Sequence, residues 1–123
     1  MKPVLSEKGM GNVASGSRRV VVVLVTSPTR AAARRIAAVA VERRLAACVN
    51  LIPAVESVFR WQGKTTRSRE TLLVIKTTIA RFTHLTRAIL ALHPYQVPEI
   101  IALPVAAGHA PYLHWVASST LSS

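Results

Sequence analysis

The chain has 123 residues, half of which are hydrophobic, and it carries a formal net charge of +11 at pH 7. This length suits a single domain with its own core, and the basic balance favours anionic partners such as nucleic acid, an acidic membrane surface or phosphate ligands. The single cysteine, Cys48, excludes an internal disulfide and a Cys-rich zinc site. The apolar run over residues 20–25 is far shorter than the roughly 20 residues that cross a bilayer, so no membrane span is predicted.

The first predicted elements are a leader, a strand and a helix. Residues 1–17 contain Gly and Ser with little to bury, which predicts a disordered leader. A strand is predicted over 18–25, and its continuous Val and Leu run over 20–25 suggests burial on both faces. Ser27 as N-cap and Pro28 at the first helical position predict a helix over 28–45 whose alanine-rich stripe packs on a sheet. Its arginines form either an anion-binding face or an ordinary solvated face: Arg30, Arg34, Arg35 and Arg43.

The middle of the chain predicts a long hairpin. A strand over 46–52 is interrupted at Pro53 and resumes over 55–61, where Phe59 and Trp61 share one face. Gln62-Gly63 has the form of a two-residue turn, and the returning strand over 64–76 begins polar and basic. The end of this hairpin extends beyond any single-domain core, and a two-stranded ribbon is marginal alone. We therefore expect a second subunit to cover it.

The last third predicts a helix, a stiff connector, a strand and a short final helix. Thr78 can cap a helix over 79–92, which Pro94 ends at or before His93. Three prolines within 93–104 lead into a strand over 99–104, a helix follows Gly108 and Pro111, and residues 120–123 fray. The order of elements over 18–119 predicts one α+β domain with a ferredoxin-like split βαβ arrangement (βαββαβ) and a C-terminal helix.

The connector also holds the candidate chemistry. His93, Tyr95 and Glu99 lie within seven positions of one another, and imidazole suits divalent copper, nickel and zinc, although sites usually gather two or more such ligands. His93 is therefore either a metal ligand or a histidine whose hydrogen bond holds the turn. Lys76 ends an apolar strand and must reach solvent or a carboxylate, and Glu99 is its predicted partner across the sheet. No Gly-rich phosphate loop or catalytic motif occurs in the sequence.

Several multi-residue motifs over residues 18–119 together resemble the CutA divalent-cation tolerance family. They occur in this order: Leu45-Ala46-Ala47-Cys48-Val49-Asn50, Trp61-Gln62-Gly63-Lys64, Ile75-Lys76-Thr77, His93-Pro94-Tyr95, Val97-Pro98-Glu99-Ile100-Ile101-Ala102-Leu103-Pro104 and Tyr112-Leu113-x-Trp115.

The resemblance implies a PII-like protomer that forms a compact homotrimer and takes part in the response to divalent metals, without catalysis. It implies no obligatory cofactor, with Cu²⁺ the metal usually proposed and another divalent cation the alternative. The implied site is an inter-subunit cleft near Lys76, Tyr95 and Glu99, with His93 as the metal-ligand candidate. The trimer-interface candidates are Phe59, Trp61 and Trp115. A cytoplasmic location is expected.

The chain departs from the family pattern in three places. Val25 and Ser27 stand where members carry a cysteine, Leu92 stands where some carry a second histidine, and the hairpin end over 64–69 is basic where relatives are acidic. The alternative function is thus a PII-like signalling module that binds a small anionic ligand in the inter-subunit cleft through Lys76 and the arginines. RNA binding is disfavoured, because the strand over 71–76 lacks the aromatic residues on which RNA-recognition domains stack bases.

Overall fold

The structure is a computed structural model that describes residues 16–121, so most of the predicted leader lies outside the described residues. After a short 3₁₀ turn, the elements are β1 (Val20–Ser27), α1 (Arg30–Glu42), β2 (Cys48–Trp61), β3 (Lys64–Thr78), α2 (Ile79–Leu92), β4 (Ile100–Pro104) and α3 (Ala110–Ser119). The four strands form one antiparallel sheet in the order β2-β3-β1-β4. This order, with a helix in each crossover, confirms the predicted ferredoxin-like fold.

The core lies between one face of the sheet and helices α1 and α2. Alternate residues of β1 and β3 point to this face, because side chains of a strand alternate between its two sides. Small residues on α1 let the helix approach the sheet closely, as the alanine-rich stripe predicts. The buried cluster includes Val21, Val23, Val25, Leu73 and Ile75 from the strands, and Ala33, Ile36, Ala40, Leu85 and Ile89 from the helices.

The opposite face of the sheet is only partly covered. Helix α3 packs over one end of it, where Val20, Leu113 and Val116 form a second small cluster. Beyond that end, Val22 and Leu24 of β1 are half-buried and Ile101 and Leu103 of β4 are exposed. The prediction that the first strand is buried on both faces is therefore wrong for a single chain. We call this surface the open sheet face.

Strands β2 and β3 continue beyond β1 as a two-stranded ribbon. Strand β1 ends where Ser27 faces Thr71, whereas β3 extends back to Lys64, a projection of roughly 20 Å at the usual rise of a strand. The turn at Gln62 and Gly63 has φ values of 50° and 78°, as the favoured hairpin turn requires, which confirms that prediction.

The strand that was predicted in two pieces is one strand with a bulge. The pairing of β2 with β3 shifts by one residue between Ile52 and Val55. Pro53 is tolerated there because β2 is an edge strand, and Ala54 takes up the extra length with a positive φ of 60°.

Both ends of α1 differ from the prediction. The helix begins after Thr29, whose side-chain oxygen accepts a hydrogen bond from the backbone N–H of Ala32 at 3.1 Å. Ser27 instead ends β1, and its hydroxyl donates to the Thr29 carbonyl at 3.1 Å, so it is not the N-cap. The helix ends at Glu42 rather than at residue 45, because Arg44 adopts a left-handed φ of 59°.

The C-terminal boundary also differs from the expected fraying after residue 119. Thr120 is buried, and its hydroxyl donates to the carbonyls of Val116 and Ala117. The last turn of α3 is thereby closed by a side chain from the predicted tail.

Candidate functional site

His93 ties the end of α2 to the end of β1. Its Nδ1 atom accepts the backbone N–H of Tyr95 at 3.0 Å, so in the neutral ring Nε2 carries the proton and donates to the Thr26 carbonyl at 2.7 Å. The side chain is buried, and both ring nitrogens are in use. A metal could bind His93 only if one of these hydrogen bonds opened. The arrangement corresponds to the alternative in which the histidine holds the turn.

Tyr95 extends the same cluster toward the base of the ribbon. Its ring lies 5.0 Å from that of His93, and its hydroxyl donates to Oε2 of Glu70 at 3.0 Å. Burial and the Glu70 carboxylate raise the pKa of Tyr95 above its ordinary value, because both disfavour a phenolate. Glu70 is only 7% exposed. It lies on β3 one position beyond the last pair of β3 with β1, so no residue of β1 stands opposite it.

Lys76 is at the other end of the open sheet face. Its ammonium group donates to the side-chain oxygen of Asn50 on the neighbouring strand β2. The register places Cys48 opposite Lys76, so Asn50 is the diagonal neighbour on the same face. Cys48 itself is half-buried, with its sulfur 3.9 Å from the same Asn50 oxygen. Lys76 thus has a neutral partner that the sequence interpretation missed.

The predicted contact between Lys76 and Glu99 is not made within one chain. Lys76 faces Val22 in the sheet, whereas Ile100, the neighbour of Glu99, faces Val25. These three positions correspond to roughly 10 Å along the strands, and β1 also lies between the two residues. The structure therefore brings His93 and Tyr95 together, but it leaves Lys76 and Glu99 apart from each other.

The candidate interface residues differ in exposure. Trp61 is 56% exposed and Phe59 is 40% exposed, and the register puts both on the side of the ribbon that continues the open sheet face. Trp115 is half-buried and packs against Tyr112 with ring centroids 5.6 Å apart. Phe59 and Trp61 therefore lie on the same side of the sheet as the exposed apolar residues of the open sheet face.

Metal donors do not converge in the part of the chain that the structure describes. Within residues 16–121 there is no group of three or more His, Cys, Asp or Glu side chains that could hold an ion. His84, His109 and His114 are exposed, and each is on or beside a helix. The described helices also include none that is long and apolar enough to cross a membrane.

Glu70 and Asn50 are the two residues of this region that sequence reasoning did not single out. Glu70 carried one usable signal, since it is an isolated acid between a basic segment and an apolar strand. Asn50 carried none. Counting back from the hairpin turn would pair it with Ile75, and only the bulge moves it opposite Val74 and onto the face of Lys76.

Comparison with known proteins places this geometry in a family context. The family model of the CutA1 divalent ion tolerance protein matches residues 21–119. The chain is 50% identical over 99 residues to the divalent-cation tolerance protein CutA of Thermus thermophilus, an alignment that covers 80% of this chain and 96% of that protein. It is 46% identical over 117 residues to human protein CutA, covering 95% of this chain and 64% of the human one. It spans 55% of the mouse protein CutA.

Solved structures show the same similarity. The structure of the Thermus thermophilus divalent cation tolerance protein superposes with a TM-score of 0.81 at 50% identity, covering 82% of this chain and 98% of that one. CutA1 of rice superposes with a TM-score of 0.81 at 44% identity, covering 85% and 95%. A periplasmic divalent cation tolerance protein CutA from Archaeoglobus fulgidus superposes with a TM-score of 0.80 at 32% identity, covering 83% and 99%.

Proposed function

The chain belongs to the family of CutA1 divalent ion tolerance proteins, and we propose that it acts in divalent-cation tolerance as a homotrimer that binds rather than catalyses. The names of its relatives support the cation role. Relatives named as chloroplastic and periplasmic occur beside others without a stated location, so the cytoplasmic location stays a prediction.

The observation that supports a homotrimer is the exposed apolar surface of the open sheet face. Ile101 and Leu103 on β4 are 48% and 47% exposed, and Ile52 on β2 is 46% exposed. Large contiguous apolar surfaces are rare on monomers and mark interfaces. The ribbon of one copy offers a matching apolar side through Phe59 and Trp61. A head-to-tail contact between two different surfaces of identical copies closes into a ring when the rotation permits.

Copper binding through His93 is the finer part of the proposal. Because the backbone of Thr26 and Tyr95 occupies both ring nitrogens, binding has to displace one hydrogen bond. Each such bond contributes about 1 kcal/mol. We therefore expect weaker copper binding than at a preformed site of three ligands, with further donors coming from neighbouring subunits.

The experiment first measures the mass of the assembly and then measures copper binding. Light scattering in high salt, which screens repulsion between copies of charge +11, should give the mass of three chains of 13.3 kDa without added metal. Calorimetric titration with Cu²⁺ should then give heat that is lost in His93→Ala and kept in His84→Ala, an exposed histidine on α2. A monomer would contradict the assembly.

A variant that keeps part of the hydrogen bonding separates ligation from folding. His93→Gln offers both a donor and an acceptor to the backbone groups that His93 contacts. If His93→Gln folds like the native chain and still binds copper, His93 is not the ligand. Retention of copper binding in His93→Ala would contradict the ligand assignment in the same way.

A further inference from the structure

A small cavity opens on the helix side of the sheet, away from the open sheet face. Its volume is about 230 Å³, and it lies between the first turns of α1 and the bulged part of β2. The lining residues are Arg30, Arg34, Leu51, Pro53 and Thr71. Neither His93 nor Lys76 lines this cavity.

The rim of the cavity is positively charged and is not neutralised. Arg30 and Arg34 are one helical turn apart, so they lie on the same side of α1 and repel each other. The first turn of α1 has no acidic residue, although this positive end of the helix dipole favours one. No carboxylate within the described residues pairs with either guanidinium. Two cations and a helix N-terminus therefore meet at one opening.

Thr71 supplies a buried polar group to the same cavity. It is 4% exposed and lies opposite Ser27, where β1 ends. Its hydroxyl makes no hydrogen bond to any group in residues 16–121, so it is available to a molecule in the cavity that Thr71 lines. The Thr71 hydroxyl and the two arginine side chains are thus hydrogen-bond donors around one cavity, and none of them has an acceptor within the described residues.

We propose that this cavity binds the phosphoryl group of a small anionic ligand. Arg30 and Arg34 would each offer planar paired N–H donors that match phosphate oxygens, and the Thr71 hydroxyl would donate a further hydrogen bond. The start of α1 adds the favourable end of its dipole. A volume of about 230 Å³ lies below the roughly 300–1,000 Å³ of sites for drug-sized molecules. The ligand class is thus phosphate, pyrophosphate or the terminal phosphate of a small ester.

The site does not depend on the proposed cation role. It lies within one chain, on the face of the sheet opposite the predicted inter-subunit cleft, and it uses no residue of the His93 cluster. Loss of copper binding or of the trimer would leave it standing.

Calorimetric titration of the full chain with pyrophosphate tests the proposal. We expect saturable binding with one site per chain. Arg34→Gln should weaken it by about tenfold or more, the range of a hydrogen bond to a charged group. Thr71→Val keeps the shape and the net charge and should weaken it about threefold or more, as loss of a neutral hydrogen bond does.

The matched control is Arg35→Gln, which removes the same charge from the next position of α1, an exposed residue that does not line the cavity. Its binding should stay within about twofold of the native chain, because screened charges at the surface contribute little. Equal weakening by Arg34→Gln and Arg35→Gln would overturn the proposal, since it would show general attraction to a basic chain. Absence of saturable heat in the native chain would also overturn it.

Two further measurements guard the interpretation. Far-ultraviolet circular dichroism and thermal unfolding identify any variant that fails to fold. If a variant does not fold, amide chemical shifts of the native chain test whether pyrophosphate binds in this cavity. Pyrophosphate should move the amide signals of Thr71 and of the first turn of α1, and unchanged signals there would overturn the site. Titrations with inorganic phosphate and with glycerol 3-phosphate compare the affinities of a free anion and an ester. The one that binds more tightly identifies the ligand class.

Discussion

At the scale of single residues, Tyr95 and Glu70 make the hydrogen bond that secures the proline-rich connector to the ribbon. The phenol donates to a carboxylate that is itself nearly inaccessible. Deprotonation of Tyr95 would remove the donor and place two negative charges side by side. This hydrogen bond is therefore made only while the phenol stays neutral.

The pH dependence of stability follows from this contact. The pKa of Tyr95 is raised by burial and by Glu70, so above pH 10 the unfolded chain loses this proton before the folded chain does. The free energy of unfolding should then fall as pH rises above 10, and it should be unaffected by this group below that value. Denaturant unfolding across pH 9 to 11 at fixed protein concentration should show a shallower fall in Tyr95→Phe.

Tyr112 provides the comparison for that experiment. Burial, and then Cys48, raise the pKa of Tyr112 as well, so Tyr95→Phe should retain part of the alkaline loss. Parallel slopes for the native chain and Tyr95→Phe would show that Tyr95 does not hold its proton more tightly in the folded state.

At the scale of elements, α1 ends in a C-terminal capping motif that lacks the glycine usually found there. The N–H of Leu45 donates to the Ala40 carbonyl at 2.8 Å, and that of Arg44 donates to the Val41 carbonyl at 3.0 Å. This is the Schellman pattern, in which glycine normally occupies the left-handed position. Here Arg44 occupies it with a φ of 59°, at a conformational cost of roughly 1–2 kcal/mol.

Arg44→Gly should therefore stabilise the protein. We expect a gain of about 1 kcal/mol, because relief of the left-handed strain exceeds the extra flexibility of glycine in the unfolded chain. Chemical denaturation measures the change. Arg43→Gly is the control, since it removes the same charge at a position with an ordinary φ of −88°. A less stable Arg44→Gly than Arg43→Gly would contradict the explanation.

At the scale of the whole molecule, burial and charge oppose each other. The open sheet face and the ribbon leave apolar surface that a second copy can cover, whereas each copy brings a charge of +11. Like charges on assembling copies repel over about 10 Å at moderate salt. Assembly therefore depends on apolar burial, and added salt should strengthen it.

A single charge on the open sheet face should separate the copies. Ile101→Glu places a carboxylate on β4 within the proposed interface, where burial without a partner costs several kcal/mol. Light scattering should show the mass of one chain instead of three. The control is Leu90→Glu, at an equally exposed apolar position on α2, which should keep the native mass. A trimer that survives Ile101→Glu unchanged would show that this face is not the interface.

Local physical chemistry allowed the order and type of the elements to be predicted from the sequence. Pro94 ends α2 because it cannot continue a helix, and Gln62-Gly63 turns the hairpin because glycine accepts positive φ. The apolar periods of 2 and 3.6 residues distinguished strands from helices. The same signals placed Phe59 and Trp61 on one side of the ribbon. The family motifs identified the family from the sequence alone.

The side-chain partners were decided only by the tertiary structure. Asn50 reaches Lys76 because a one-residue bulge changes the register of β2, and Glu70 reaches Tyr95 because β1 ends one position too early to lie between them. Thr29 displaces Ser27 as N-cap because β1 extends two residues farther than its apolar run. Such contacts join residues distant in sequence, and a shift of one position reverses the face on which a strand side chain lies.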